Sequence, residues 1–142
     1  MARITEIMAD MEKVEKGRWV DYAADIKLLV ANINSSDYRE ARQRILRPHQ
    51  RGIRSGMMIG EMVTDLLKPA VARHLLLGWQ NLQDEKGKNL PYSADKALEF
   101  FKNPAFVDLY FFVLETAGES EMFRKAEFED STKNSVIASG GN

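Results

Sequence analysis

Apolar residues recur every three or four positions along most of the chain, which is the spacing of amphipathic helices. We therefore predict a mainly helical protein. Pro48 and Gly78 mark predicted helix ends, because proline disfavours helical geometry in the residue before it and glycine is common just after a helix. The predicted helices cover residues 4–15, 36–47, 55–67, 69–77, 94–102 and 104–114, and the last of them continues to Phe128 if Gly118 does not end it.

Two segments depart from this helical pattern. Residues 18–22 and 26–30 are rich in β-branched and aromatic side chains, so we predict a β-hairpin that turns at Ala23-Ala24-Asp25. Further along, Trp79 and Tyr92 bracket a charged turn, which predicts a second hairpin between the central helices.

We thus expect the mainly α (α+β) class, as a single helical domain over residues 1–132 with a small N-terminal β-hairpin and the second hairpin. The remaining residues, 133–142, are small and polar and end in glycine, so we predict a disordered C-terminal tail.

The composition removes several kinds of site. The 142 residues carry a net charge of −1 and include no cysteine, which excludes disulfides, thiolate nucleophiles and cysteine-ligated metals. No stretch approaches the roughly 20 apolar residues that cross a bilayer. We expect a protein of the cytoplasm that makes no membrane contact.

Candidate catalytic and metal-ligating residues are few. His49 and His74 belong to no recognisable motif. Glu61 and Asp65 share one helix face and could hold a divalent metal, but such ions usually take more than two protein oxygens. We read the pair as part of a solvated face, and we predict no catalytic, cofactor-binding or metal-binding residue and no enzyme activity.

The charge is divided between two segments. Residues 37–54 hold six arginines against Asp37 and Glu40, and residues 115–130 hold six acids against Arg124 and Lys125. This division favours oriented association of the chain with itself or with a partner. Neighbouring copies would meet through a contact between the two segments. The residues predicted for self-association are Arg44, Arg47, Arg51, Glu119, Glu121 and Glu127. An alternative is a nucleic-acid-binding or regulatory protein that acts through Arg39–Arg54, although no aromatic side chain interleaves with those arginines.

Two apolar stripes favour a binding protein over an isolated globule. The first stripe contains Met57, Met58 and Met62, and methionine side chains are flexible and suit partners of varied shape. The second stripe, Phe106–Leu114, is apolar nearly all round, so it must be buried on several sides, by its own domain or by another chain. We predict that a polypeptide client binds through Met57, Met58, Met62, Leu66, Phe106, Phe111 and Phe112.

Four segments in a fixed order resemble the tail assembly chaperones of long-tailed, siphovirus-type bacteriophages. The central one is LLLGWQNLQDEKGKNLPYSADKALEFF, and the others are EKGRWVDY, YREARQRILRPHQRGIRSG and FRKAEFEDSTKNS. The resemblance covers roughly residues 12–135.

This resemblance implies a chaperone that keeps the tape measure protein soluble and helps to recruit tail tube subunits. It further implies action in the host bacterial cytoplasm, with the chaperone absent from the mature virion, and it fits a homo-oligomer. The second hairpin would then act as a clamp that fixes the angle between the two halves of the domain, through Trp79, Leu82, Leu90 and Tyr92.

Overall fold

A computed structural model describes residues 1–124. Its sheet has three antiparallel strands in the order β1–β2–β3, and its helices surround one face of that sheet. The strands are β1 (Arg18–Asp21), β2 (Lys27–Val30) and β3 (Leu76–Gln80). The helices are α1 (Met11–Lys16), α2 (Ser36–Leu46), α3 (Gln50–Arg54), α4 (Gly60–His74), α5 (Ala94–Lys102) and α6 (Val107–Gly118), with single 3-10 turns at Ile4–Glu6, Arg47–His49, Pro104–Phe106 and Ser120–Phe123. The predicted fold class is confirmed.

The core lies between the sheet and the helices α2, α4, α5 and α6. Val20, Leu28 and Trp79 are directly opposite one another on the three strands and point to this core. Helix α4 packs between α2 and α5, and its buried residues Leu67 and Val71 recur at helical spacing. Glu61 and Asp65 of α4 and Val107 at the start of α6 remain exposed beside this packing.

The end of α4 and the strand after it differ from the prediction. One helix runs through Pro69, whereas the sequence predicts two helices, and residues 76–80 form β3 instead of a last helical turn. Pro69 removes only one backbone donor and lies on the exposed side of α4. Residues 76–80 leave the helix because β2 supplies their hydrogen-bond partners, and a tertiary pairing of this kind overrides local preference.

Two predicted helix starts are also wrong. Gly56 has a φ of +79°, a conformation that ends α3 and delays the start of α4 to Gly60. At the N-terminus, Asp10 accepts a hydrogen bond from the Glu12 amide at 3.1 Å and starts α1 there, so residues 4–15 do not form one helix.

The second predicted hairpin forms only in part. Its first limb is β3, which pairs with β2 of the N-terminal hairpin, and its tip closes through an isolated bridge between Gln83 and Asn89. Asp84 shapes the tip, since its carboxylate accepts from the amides of Lys86 and Lys88 at 2.9 Å each. The predicted C-terminal tail, residues 133–142, lies outside the described residues.

Candidate protein-binding groove

A groove of about 530 Å³ lies between α4 and the start of α6, and we name it the α4–α6 groove. Its α4 wall is a row of residues spaced three and four apart, as one helix face requires. The wall residues are Glu61, Thr64, Asp65 and Lys68 from α4, and Phe101, Lys102, Asn103, Pro104, Val107, Tyr110 and Phe111 from the α5–α6 side.

A sharp turn between α5 and α6 sets the shape of the second wall. The Asn103 side chain accepts a hydrogen bond from the Ala105 amide at 2.9 Å, and Pro104 begins the short 3-10 turn that follows. Helix α6 therefore starts in a new direction, which leaves Val107 and Phe111 at the surface, 50 % and 54 % exposed.

Tyr110 forms a fixed part of the groove between its two walls. The Tyr110 hydroxyl donates a hydrogen bond to the Thr64 carbonyl oxygen at 3.0 Å, which ties α6 to α4. Burial raises the pKa of Tyr110, with a further contribution from the negative charge of Asp65, so the hydroxyl keeps its proton. A hydrogen bond within the chain therefore joins the two walls of the groove.

Charged groups lie along the rim. Lys68 Nζ is 2.9 Å from Asp65 Oδ1 and 5.6 Å from the centre of the Tyr110 ring, so a cation already covers one aromatic face. Asp65 remains largely exposed, and pairs of this kind contribute little to stability, on the order of 0–1 kcal/mol. The groove combines apolar walls with a mixed-charge rim, which suits the apolar stripe of another helix.

The model of the YdaY prophage protein family matches residues 33–134. This chain belongs to that family. It is thus a phage or prophage protein, which agrees with the phage origin that the sequence resemblance implies. The matched region contains both walls of the α4–α6 groove and lies after the β1–β2 hairpin. No curated protein and no solved structure matches the chain.

The predicted client-binding methionines of this YdaY-family protein lie outside the groove. Met62 and Leu66 are each one position after a wall residue, which rotates them by about 100° around α4. Met57 is 80 % exposed and belongs to the connection between α3 and α4, where Met58 donates its amide to the Gly52 carbonyl oxygen. A role of these methionines in client binding stays a prediction.

The three predicted phenylalanines enter three different environments. Phe111 lines the α4–α6 groove. Phe106 contacts Phe100, with ring centres 4.7 Å apart, beside a second, smaller pocket. Phe112 packs on Tyr22 at 4.8 Å and faces the β1 side of α6. Of the predicted client-binding residues, therefore, Phe111 is the one that the groove contains.

Sequence reasoning missed most groove residues. Thr64, Lys68 and Tyr110 belong to no motif, and Val107 was hidden in an apolar run. The sequence does contain one signal for the groove, the row of polar residues at positions 61, 64, 65 and 68. By itself this row indicates a solvated helix face, and only the position of α6 shows that it is the wall of a groove.

The structure brings together the four residues predicted to form a clamp. Trp79 Nε1 donates to the Leu90 carbonyl oxygen at 2.8 Å, and the Trp79 and Tyr92 rings meet edge to face at 4.9 Å. The Tyr92 hydroxyl donates to the Leu76 carbonyl oxygen at 2.6 Å and also lies 3.0 Å from that of Ala72, so it joins β3 to the last turn of α4. Leu82 and Leu90 pack against the core. Whether these contacts fix the angle between two halves of the domain stays a prediction.

The predicted self-association residues lie at separate places on the molecule. Arg44, Arg47 and Arg51 are exposed at the end of α2 and in the short helices after it. Glu119 and Glu121 are exposed just after α6, whose end is tied to the start of α2 by the Ile33 amide, which donates to the Ala117 carbonyl oxygen at 3.0 Å. Glu127 lies outside the described residues. The length of α2 therefore separates the basic residues from the acidic ones.

Two other kinds of site are absent from residues 1–124. This region holds no group of three or more histidine, aspartate or glutamate residues arranged to bind a metal. None of its helices combines the length and the apolar character that a bilayer crossing requires.

Proposed function

We propose that this prophage protein is a non-enzymatic tail assembly chaperone that binds the tape measure protein of its phage through the α4–α6 groove. The observation that carries the proposal is the exposure of Val107 and Phe111 on the wall of a groove of about 530 Å³. An apolar groove that stays open in the unbound chain suits a helical client, and the order of sequence segments resembles chaperones with such a client.

The size of the groove fits reversible binding. It offers an apolar strip to one or two turns of a client helix, and a strip this short gives modest affinity for each copy. Many copies along one long client would act together. Modest affinity would also allow tail tube subunits to displace the chaperone, in the host cytoplasm and before the virion is complete.

Co-expression with the tape measure protein of the same prophage tests the proposal. The wild-type chain should keep the client soluble and co-purify with it. Phe111→Asp should weaken this complex by about tenfold, because a charge replaces an apolar contact worth roughly 1.5–3 kcal/mol when fully buried. Ile7→Asp is the matched control, since Ile7 is 67 % exposed and lies outside the groove.

Two outcomes would contradict the proposal. Recovery of no complex with the wild-type chain would remove the chaperone function. A complex that Phe111→Asp leaves unchanged, while the variant keeps its helical circular dichroism, would remove the groove as the client site. Met57→Glu in the same assay tests the methionines separately, because Met57 is exposed and does not line the groove.

A further inference from the structure

A second pocket, of about 160 Å³, is lined by four aromatic residues and one carboxylate. It lies between the sheet and the turn that joins α5 to α6, and we name it the Asp108 pocket. Tyr22, Trp79, Phe100 and Phe106 supply the rings and Asp108 supplies the charge, while aliphatic side chains complete the lining. The α4–α6 groove shares none of these residues.

The aromatic lining is a connected and anchored group. The ring centre of Phe100 is 5.7 Å from that of Trp79 and 4.7 Å from that of Phe106. The hydrogen bond from Trp79 Nε1 to the Leu90 carbonyl oxygen holds the indole in place. Rings that are fixed before binding lose little conformational entropy when a ligand arrives.

The carboxylate of Asp108 lies at the exposed edge of the pocket. Its Oδ2 accepts a hydrogen bond from the Tyr22 hydroxyl at 2.5 Å. Burial and this hydrogen bond raise the pKa of Tyr22 to about 12, so Tyr22 remains a donor near neutral pH. Within residues 1–124, no lysine or arginine forms an ion pair with Asp108. The Tyr22 hydroxyl therefore orients the Asp108 carboxylate. No lysine or arginine among residues 1–124 neutralises the charge of this carboxylate through an ion pair.

These features together define the chemistry of a ligand. Aromatic rings attract a cation, a carboxylate pairs with a guanidinium group through two parallel hydrogen bonds, and aliphatic walls suit the methylene stem of a long side chain. Arginine combines a planar cation that stacks on rings with a fork of donors, which lysine lacks. A purely apolar side chain would use the rings and the walls but not the carboxylate.

We propose that the Asp108 pocket binds an arginine side chain from the α2–α3 segment of a second copy of this chain. Arg44, Arg47 and Arg51 of that segment are exposed and do not line the pocket of their own molecule, so the proposal takes the bound arginine from a second copy. The segment is the most basic part of the chain, and the pocket presents a carboxylate. Two different surfaces meet, so the contact is heterologous and copies add head to tail.

The proposal concerns self-association and does not depend on the client. Sedimentation at low salt over a dilution series should show reversible association of the wild-type chain. Asp108→Asn keeps the shape and an acceptor for Tyr22, yet it should weaken association by about tenfold or more, as expected for loss of a charge-assisted hydrogen bond. The triple variant Arg44→Ala, Arg47→Ala, Arg51→Ala should do the same. Asp95→Asn is the matched control, because Asp95 is exposed and lies outside the pocket.

Mixing the two defective variants gives the sharpest test. Asp108→Asn keeps the arginines, and the triple variant keeps the pocket, so one intact contact can form between them. The mixture should give a heterodimer that grows no further, at concentrations where each variant alone, with its association weakened by about tenfold or more, stays monomeric. A wild-type chain that is monomeric throughout the dilution series, or a mixture that does not associate, would overturn the proposal.

A small-molecule probe tests the pocket chemistry itself. In a nuclear magnetic resonance titration, N-acetyl-arginine amide should shift the Trp79 indole signal, while N-acetyl-citrulline amide, which has a similar shape without the charge, should shift it much less. Equal shifts from the two compounds, or shifts that persist in Asp108→Asn, would also overturn the proposal. A negative result in this titration does not change the outcome of the Phe111→Asp assay. The proposal for the Asp108 pocket and the proposal for client binding can therefore fail separately.

Discussion

Two aromatic regions of this protein differ in their hydrogen bonding, their ring packing and their exposure to solvent. Around Trp79 and Tyr92 each polar atom of the two side chains has a partner, and the Trp79 ring packs against two others. In the α4–α6 groove, the ring centres of Phe111 and Tyr110 are 5.9 Å apart, and about half of the Phe111 surface is exposed to solvent. The sequence places aromatic residues in both regions.

The difference shows that composition alone does not separate a structural aromatic from a binding one. The Trp79 region is a junction where β3, α4 and the loop of residues 81–92 meet, so its rings stabilise the fold. In the groove, the exposed ring of Phe111 adds little to the fold and remains available to another molecule. Substitutions of Trp79 and Tyr92 should therefore change stability, and substitution of Phe111 should change association.

The largest effect is expected for Trp79→Ala. This substitution removes a buried indole, its hydrogen bond to the Leu90 carbonyl oxygen and two ring contacts. Large-to-small changes of aromatic residues in a core cost about 3–5 kcal/mol. Chemical denaturation followed by circular dichroism would measure the loss. A cost below about 1 kcal/mol would show that the junction is not part of the core.

Tyr92→Phe should have the next largest effect. The ring remains, but the carbonyl oxygens of Leu76 and Ala72 lose the hydroxyl that lies 2.6 and 3.0 Å from them. Leaving buried acceptors without a donor costs on the order of 1–3 kcal/mol. Denaturation under the same conditions would measure it, and Tyr22→Phe, which removes a hydroxyl bonded to an exposed carboxylate, should cost less.

Local signals in the sequence were enough to locate the elements around the junction. Ser93 caps α5, since its Oγ accepts from the Lys96 amide at 3.0 Å, and the predicted bounds of that helix agree with the structure. The β1–β2 hairpin follows from its β-branched and aromatic residues and its short turn. In both cases the residues that decide the conformation are close together in the chain.

Features that depend on distant contacts were not predicted. Leu76 and Leu77 continue the apolar spacing of α4, and only the pairing with β2 makes them a strand. The α4–α6 groove depends on the angle between two helices that are more than 30 residues apart in the sequence. No local pattern encodes that angle, so Thr64 and Val107 could not be recognised as neighbours.

Alkaline pH should unfold the protein through its tyrosines. Burial raises the pKa of all four, and that of Tyr22 rises from 10.0 to about 12. A raised pKa means that the folded state holds the proton more tightly, so this contribution to stability is complete below pH 10 and is lost as the pH rises toward 12. Tyrosinate absorbance should therefore increase together with the loss of helical circular dichroism. In Tyr22→Phe the fall in stability above pH 10 should be less steep. A gradual increase in absorbance while the helices persist would contradict the prediction.

The smallest effect on stability is expected for Phe111→Ala in the groove. Phe111 is 54 % exposed, so the folded state loses little buried area when its ring is removed, and the free energy of unfolding should change by less than about 1 kcal/mol. The same change removes the largest exposed apolar side chain of the α4–α6 groove and should weaken client binding. Unfolding and client co-purification measured on one preparation would separate the two effects. A loss of stability as large as that of Trp79→Ala would place Phe111 in the core and remove the contrast between the two aromatic regions.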